Sequence, residues 1–425
     1  EVVIMSEVLQ IVLISLAVVA LLGVVLEDII HVNKAKITLF LGTFSWFLLY
    51  VFHSGSPEEA EAVAIGFEEN VAEIASLWLF LVAAMTFVAY LNKKGMIENV
   101  IHLFLPRQIK ERSLLFLTAI FCFIFSSLAD NITATLVSVT LILSLNLSTK
   151  KTIRFATLVV FAVNSGGVSL ITGDVTTLMI FLDGKVNILD LLMLSLPAFT
   201  AVMVLALLLS RGLNDTVEIN IRHNEVRPVD LMIAGAFLCT IVTTIVANVL
   251  FGIPPVLMFL LGMATMFLIA RFFDSDEKEE QQILEYIRVI EFETLLFFLG
   301  ILLLVGMLKE IEVLDAIVRM YEILPPTLAN FLMGVLSSAI DNVPLTAALL
   351  KAGIVMTEAE WLGLTYAVGV GGSLLVIGSA AGIVAMSKVD GLTFGSYARY
   401  SFVLLLVYAI GYAASIGLAQ LVLGN

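Results

Sequence analysis

The six residues Ser126-Ser127-Leu128-Ala129-Asp130-Asn131 recur as Ser337-Ser338-Ala339-Ile340-Asp341-Asn342, with four of the six positions identical. A second pair of similar segments, residues 166–174 and 371–379, follows each copy at nearly the same distance, and both are rich in glycine. Two blocks that recur in the same order indicate an internal duplication. Each Asp-Asn pair also interrupts a long apolar run, so the two copies predict matching breaks in otherwise hydrophobic segments.

The composition is that of a membrane protein. The chain has 425 residues, of which 60% are hydrophobic and only 14% are charged, and its mean hydropathy is +1.07. Soluble proteins are about 25% charged, so a soluble enzyme is excluded and an all-α polytopic membrane protein is predicted. Neither a Walker sequence nor a zinc-protease motif is present. We therefore expect no enzyme and no cofactor.

Apolar runs of about 17 residues or more predict full spans. These lie near residues 7–27, 37–52, 74–92, 187–210, 230–251, 256–273, 291–308 and 397–421. Two glycine-broken spans, 155–183 and 361–387, bring the total to about ten. Segments 113–147 and 327–352 carry Asp-Asn at their centres, and each half, of roughly 12–16 residues, is long enough to pass the bilayer centre and return. Both segments are predicted to be re-entrant hairpins.

Basic residues predict the orientation. If the N-terminus faces outside, 18 of the 22 Lys and Arg residues fall on the cytoplasmic side, as the positive-inside rule requires. Both termini and the acidic loop 53–73 are then outside. The hairpin-containing halves run in opposite directions, which predicts an inverted-repeat secondary transporter. The expected domains are N-terminal scaffold spans 1–72, a first repeat 73–210, a linker with scaffold spans 211–290, and a second repeat 291–425.

Irregular backbone at membrane depth persists only where it is buried in protein or lines a wet cavity. The breaks therefore predict a site near the midplane, rich in carboxylate, amide and hydroxyl oxygens that suit hard cations such as Na⁺ or Li⁺. The candidate cation- and proton-binding residues are Asp130, Asn131, Thr133, Asn164, Thr172, Asp174, Thr176, Thr177, Ser337, Asp341, Asn342, Ser373 and Ser379. Asp130, Asn131, Asp174, Asp341 and Asn342 are expected to hold the ion itself. Glu73 and Glu293, which begin matching spans, are expected to be accessory.

A buried carboxylate prefers its neutral, protonated form, whereas a bound cation favours the ionised form. One group can thus hold a proton or a cation in turn, which is the physical basis of cation/proton exchange. Each candidate also has a structural interpretation. The three aspartates could serve only as caps of the helices that follow them, and hydroxyls in membrane helices often bond the preceding turn.

The paired Asp-Asn hairpins and the segment from Asn164 to Thr177 resemble the NhaD-type sodium/proton antiporters. These belong to the ion transporter superfamily, together with INDY-like dicarboxylate carriers and arsenite carriers. The resemblance covers roughly residues 70–420. It implies exchange of Na⁺ or Li⁺ for H⁺, an elevator-like transport domain, a homodimer and a bacterial-type inner (plasma) membrane, with membrane lipid and no nucleic acid as partner.

The resemblance carries the family's cation-site residues to Asp130, Asn131, Asn164, Asp174, Thr176, Thr177, Ser337, Asp341, Asn342 and Ser379. In the dicarboxylate relatives the hairpin tips carry Ser-Asn-Thr. Asp replaces that Ser here, which favours a cation as the only cargo. The alternative is a sodium-coupled carrier of a small organic anion or arsenite, whose anion would bind at half-helix N-termini. A passive channel fits an inverted repeat poorly.

Overall fold

The computed structural model describes residues 2–25, 32–96, 99, 108–145, 147–218, 226–273 and 292–424. The predicted cytoplasmic linker, residues 274–291, lies outside this part of the chain. Helices account for nearly all of the described secondary structure. The N-terminal third contains three long helices, α1 (Val2–Val25), α2 (Lys34–His53) and α3 (Pro57–Lys93).

The segments predicted as the first hairpin and its broken span, with the span that follows, contain six helices in the described residues. They are α4 (Glu111–Leu128), α5 (Asn131–Ser144), α6 (Thr149–Gly167), α7 (Val175–Leu182), α8 (Ile188–Met193) and α9 (Ser195–Leu209). The central helices are α10 (Pro228–Phe251), α11 (Pro255–Phe273) and α12 (Phe292–Glu310). The segments predicted as the second hairpin and its broken span, with their neighbours, contain α13 (Asp315–Ile323), α14 (Pro326–Ser337), α15 (Asn342–Lys351), α16 (Glu358–Gly371), α17 (Ala380–Lys388), α18 (Phe394–Ala398) and α19 (Ser401–Leu423).

A small β-ribbon accompanies the helices in the described residues. Strand β1 (Gln108–Lys110) pairs antiparallel with β2 (Thr216–Glu218), and Ile109 lies opposite Val217. The middle residue of each strand is buried and its neighbours are exposed. Strands of three residues are too short to show a recognisable alternation in the sequence, so only their tertiary pairing reveals them.

The described residues include nine helices that are long and apolar enough to cross a membrane. A polytopic membrane protein is thus confirmed. The nine include α4, whose 18 residues exceed the length expected for one arm of a hairpin. The arms of the second hairpin are shorter, with 12 and 10 residues.

Helix α3 extends through the segment predicted to be an acidic loop, residues 53–73. It begins at Pro57, and Glu58 and Glu59 occupy its first turn. Proline suits the first helical position, and carboxylates there interact favourably with the helix dipole. The 37-residue helix is therefore longer than the hydrocarbon core of a bilayer, which about 20 helical residues cross. The predicted domain boundary at residues 72 and 73 falls inside this continuous helix, and the domain division itself stays a prediction.

The helices form two packed groups. Helices α1, α2, α3, α10, α11 and α12 pack on one another, most extensively α2 on α12, and we call them the frame group. Helices α4–α7, α9, α14–α17 and α19 form the hairpin group, in which α5 packs on α17 and α15 packs on α7. The principal contact between the groups is α15 against α12.

The two hairpins cross their broken spans in matching ways. A Cβ added at Gly166 would lie 2.2 Å from the carbonyl oxygen of Phe123, and one at Gly371 would lie 2.0 Å from that of Gly334. Only glycine permits such close backbone contact. Each crossing is also fixed by a serine hydroxyl: Ser126 donates to the carbonyl of Val163 at 2.7 Å, and Ser337 to that of Val368 at 2.8 Å.

Candidate functional site

Four short helices begin at one place in the hairpin group, and each begins with a polar cap. Asp130 caps α5, Asp174 caps α7, Asp341 caps α15 and Ser379 caps α17. The chain enters each cap in an extended conformation because the preceding segment has ended, and the cap oxygen accepts a backbone N–H that would otherwise lack a partner. All three aspartates therefore do cap helices.

Capping uses only part of each carboxylate. In Asp174, Oδ1 accepts from the backbone N–H of Thr176 at 3.3 Å, and Oδ2 accepts from Asn342 Nδ2 at 3.3 Å. In Asp341, Oδ1 accepts from the N–H of Val343 at 3.1 Å. In Asp130, Oδ1 caps the helix and Oδ2 accepts from Thr133 Oγ1 at 2.7 Å. The second oxygen of each carboxylate thus remains near the other polar groups of the site.

All four caps line one cavity of about 70 Å³. A water molecule needs roughly 10–15 Å³ of such space, so the cavity has room for a few waters or a partly hydrated ion. Of the predicted site residues, the structure brings together here Asp130, Asn131, Thr172, Asp174, Asp341, Asn342 and Ser379. Asp174 and Asp341 are 6% and 7% exposed, so their charges are largely removed from solvent.

The other predicted residues lie behind this cavity rather than on its wall. Asn164 donates to Ser379 Oγ at 3.0 Å and so links the two halves. Thr133 supports the Asp130 cap, and Thr177 lies 3.4 Å from the carbonyl of Gly167. Ser337 and Ser373 bond main-chain carbonyls, those of Val368 and Val370 respectively.

Glu73 and Glu293 also lie away from the cavity. Glu73 pairs with Lys351 at a separate cavity of about 450 Å³ between α3, α12 and α15. Glu293 accepts from Asn33 Nδ2 at 2.7 Å, within the frame group. The structure gives these two residues structural partners and places neither on the wall of the four-cap cavity.

Several buried oxygens near the break after α6 have no hydrogen-bond partner in the described part of the chain. They are Asn164 Oδ1, Ser165 Oγ, Ser169 Oγ and Thr176 Oγ1. Buried polar atoms are nearly always satisfied, so such a group calls for a partner outside the protein. One of these residues, Thr176, also donates its backbone N–H to Asp174 Oδ1.

The cavity wall on the frame side was not apparent from the sequence. It contains the apolar residues Leu81, Met85, Phe297 and Phe298, together with Thr294 and Lys34. Lys34 Nζ is 3.9 Å from Asp341 Oδ2. The lysine begins α2, far from either hairpin in the sequence, so only the packing of the two helix groups reveals this contact.

Positive and negative charges are combined around the cavity. Each of the four helices that begin here presents the positive end of its dipole, about half an elementary charge, to the cavity. Three of the four beginnings already carry their own carboxylate. Among the described residues no three acidic, histidine or cysteine side chains are close enough to hold one metal ion. An ion would therefore be held by fewer carboxylates, completed by amide, hydroxyl and main-chain oxygens.

Comparison with known proteins identifies the family. Residues 2–369 match the citrate transporter (CitMHS) family. The chain is 31% identical to the "Na(+)/H(+) antiporter NhaD" of Alkalimonas amylolytica, over 97% of this chain and 90% of the relative. It is 30% identical to the NhaD antiporter of Vibrio cholerae over 91% of this chain and 87% of the relative. It is also 30% identical to "Sodium/proton antiporter 1" of Arabidopsis thaliana over 94% of this chain and 71% of the relative.

The fold and the site define a polytopic membrane transporter of the citrate transporter family. Within that family the chain belongs with the NhaD-type sodium/proton antiporters. The resemblance drawn from the Asp-Asn hairpins is confirmed.

Proposed function

We propose that the protein exchanges Na⁺ or Li⁺ for H⁺ across a membrane by alternating access. The observation that carries this proposal is the set of three carboxylates, Asp130, Asp174 and Asp341, at helix beginnings around a cavity of about 70 Å³. Each carboxylate can be neutralised by a proton or by a cation. Burial makes two states of the carboxylate unfavourable: the state that binds neither, and the state that binds both at once. Exchange of one for the other follows from that competition.

The proposed ligands of the ion are the oxygen-bearing side chains of the cavity wall. The proposed ligands are drawn from Asp130, Asn131, Asp174, Asp341 and Asn342, with fewer than three carboxylates at any one ion, and the hydroxyls of Thr172 and Ser379 complete the wall. The unpartnered oxygens of Asn164 and Thr176 support a position close to Asp174. All these ligands are hard oxygen donors, which suit alkali cations better than soft metals.

In the proposed architecture the two Asp-Asn hairpins are re-entrant and the two halves form an inverted repeat. The matching crossings at Gly166 and Gly371 support this interpretation. The hairpin group would move against the frame group, as an elevator-like domain moves against its scaffold. A homodimer, surrounding membrane lipid, an inner (plasma) membrane and termini on the outer side belong to the same proposal.

The alternative is a sodium-coupled carrier of a small organic anion or arsenite. Four helix N-termini at one cavity would favour an anion, and the family description names citrate. The size and charge of the cavity oppose this alternative. Pockets for small organic ligands usually measure about 300–1,000 Å³, and an anion here would face three carboxylates with Lys34 as the basic residue on the wall.

Reconstituted vesicles test the proposal directly. We would impose a pH gradient, follow it with a pH-reporting dye, and add NaCl, LiCl, KCl or choline chloride. We expect NaCl or LiCl to dissipate the gradient, and KCl and choline chloride to leave it in place. Dissipation only after addition of citrate, a dicarboxylate or arsenite together with Na⁺ would replace antiport with the anion-carrier alternative.

A further inference from the structure

Lys34 places a fixed positive charge beside one of the three carboxylates. Its Nζ is 3.9 Å from Asp341 Oδ2, and the two side chains are 17% and 6% exposed. An N–H···O hydrogen bond normally spans about 2.7–3.2 Å. The contact is therefore an ion pair held by charge rather than by a short directional bond, and it can open without a change in either helix.

The two residues belong to different helix groups. Lys34 is the first residue of α2 in the frame group, whereas Asp341 caps α15 in the hairpin group. Helix α15 is also the element through which the hairpin group chiefly contacts the frame group. The Lys34 ammonium lies 4.6 Å from the centre of the Phe297 ring, where cation–π attraction gives it a favourable position beside the carboxylate.

We propose that Lys34 is a tethered counter-cation for Asp341, which competes with the transported ion. When the cavity holds no alkali cation, the ammonium neutralises Asp341. An entering Na⁺ or Li⁺ meets Coulomb repulsion from the ammonium at the same carboxylate, so Lys34 must withdraw before the cation is fully bound. This inference rests on the proposed function and assigns to it a residue that sets the apparent affinity for the cation.

A second ion pair, at the other end of α15, provides a matched control. Lys351, the last residue of that helix, pairs with Glu73 of α3. Both pairs tie the same hairpin helix to the frame group. Lys34 lines the cavity with the carboxylates, whereas Lys351 lies at the separate cavity of about 450 Å³. Loss of either pair loosens α15, but only loss of the Lys34 pair removes a charge from the four-cap cavity.

The experiment compares Lys34→Met and Lys34→Gln with Lys34→Arg, Lys351→Met and Lys36→Met. Lys36 is an exposed residue on the same turn as Lys34. Two quantities are measured for each purified protein: the Na⁺ concentration that gives half-maximal exchange, and the Na⁺ concentration that raises the thermal midpoint in detergent by a fixed increment. A ligand that binds only the folded state stabilises it by RT ln(1 + [L]/Kd), so the second concentration scales with Kd and does not depend on transport.

We expect both Na⁺ concentrations to fall roughly five- to tenfold in Lys34→Met and Lys34→Gln, the lower part of the range for coupled sites. Lys34→Arg, Lys36→Met and Lys351→Met should match the wild type. In the background of Asp341→Asn, Lys34→Met should no longer change the Na⁺ concentration that stabilises the protein.

An unchanged or higher Na⁺ requirement in both Lys34 variants would overturn the inference. An equal fall in Lys351→Met would also overturn it, because that result would indicate loosened packing instead of competition. A wild type that shows no response to Na⁺ or Li⁺ in either measurement would instead reject the proposed function.

Discussion

At the scale of single residues, capping and ion binding are compatible roles for the same aspartate. In Asp174 and Asp341, Oδ1 accepts a backbone N–H and Oδ2 contacts a side chain from another part of the fold. A cap fixes the position of the carboxylate at the start of a half-helix, so the charge needs no further reorganisation when an ion arrives. In the sequence, capping was treated as an alternative to ion binding, but one aspartate side chain can have both roles.

Replacement of the capping aspartate by asparagine separates these roles experimentally. Asparagine is as good an N-cap as aspartate, so Asp130→Asn and Asp341→Asn should keep the fold and lose the charge that is exchanged. We expect Na⁺-dependent proton movement in proteoliposomes to fall to the level of protein-free vesicles, with a thermal midpoint close to that of the wild type. Asp390→Asn, at an exposed position, is the control. Wild-type exchange in either cap variant would remove these carboxylates from the mechanism.

At the scale of elements, the hairpins depend on where the main chain can approach another main chain. Gly166 and Gly371 occupy equivalent places, where α6 and α16 cross the first arm of each hairpin. The repeated glycines were visible in the sequence as breaks. Their role in the crossing was not, because the partner carbonyls, of Phe123 and Gly334, lie far from them along the chain.

The close approach predicts that alanine lowers stability at the two crossing glycines and not at a glycine with open space around it. Gly166→Ala and Gly371→Ala would drive a methyl group into a main-chain carbonyl, which cannot rotate away as a side chain can. We expect each to lower stability by about 1–3 kcal/mol or more, the usual cost of overpacking, seen as a lower thermal midpoint in detergent. Gly417→Ala is the matched control, because it is also in a helix and has open space around its Cβ position. Equal midpoints for all three variants would contradict the crossing geometry.

At the scale of the whole molecule, the direction of the two halves in the membrane follows from the distribution of basic residues. Glu58, at the start of α3, and Asp390, after α17, are both exposed. The segment around Glu58 is predicted to face outside, and the segment around Asp390 is predicted to face the cytoplasm. An inverted repeat requires this opposite placement, and the helix packing by itself does not test it.

Labelling with a membrane-impermeant maleimide tests the orientation. In a background with Cys122→Ser and Cys239→Ser, we expect Glu58→Cys to react in intact cells. Asp390→Cys should react only after permeabilisation, because the basic loops are retained on the cytoplasmic side. Reaction of both cysteines from the same side would reject the proposed orientation and the inverted repeat with it.

The class of the protein and the positions of its breaks can be predicted from composition and sequence pattern alone. Composition and long apolar runs require a membrane environment wherever the helices begin and end. The repeated Asp-Asn pairs and glycine segments mark the interrupted elements, because these residues rarely occur within an apolar span unless they cap a helix or allow close contact. Asp130, Asp174 and Asp341 could therefore be selected as a set before any contact between them was known.

The groups that share the cavity are set by the packing of the helices. This packing brought Lys34 and Thr294 from the frame group to the carboxylates, placed Ser337 and Ser373 behind the wall, and gave Glu73 a partner at a different cavity. The structure also shows that the acidic segment before residue 73 belongs largely to helix α3, and it reveals the β-ribbon. These outcomes depend on contacts between residues distant in the sequence. Local composition and spacing define each element, but the packing of one helix group on the other sets the distances between their side chains.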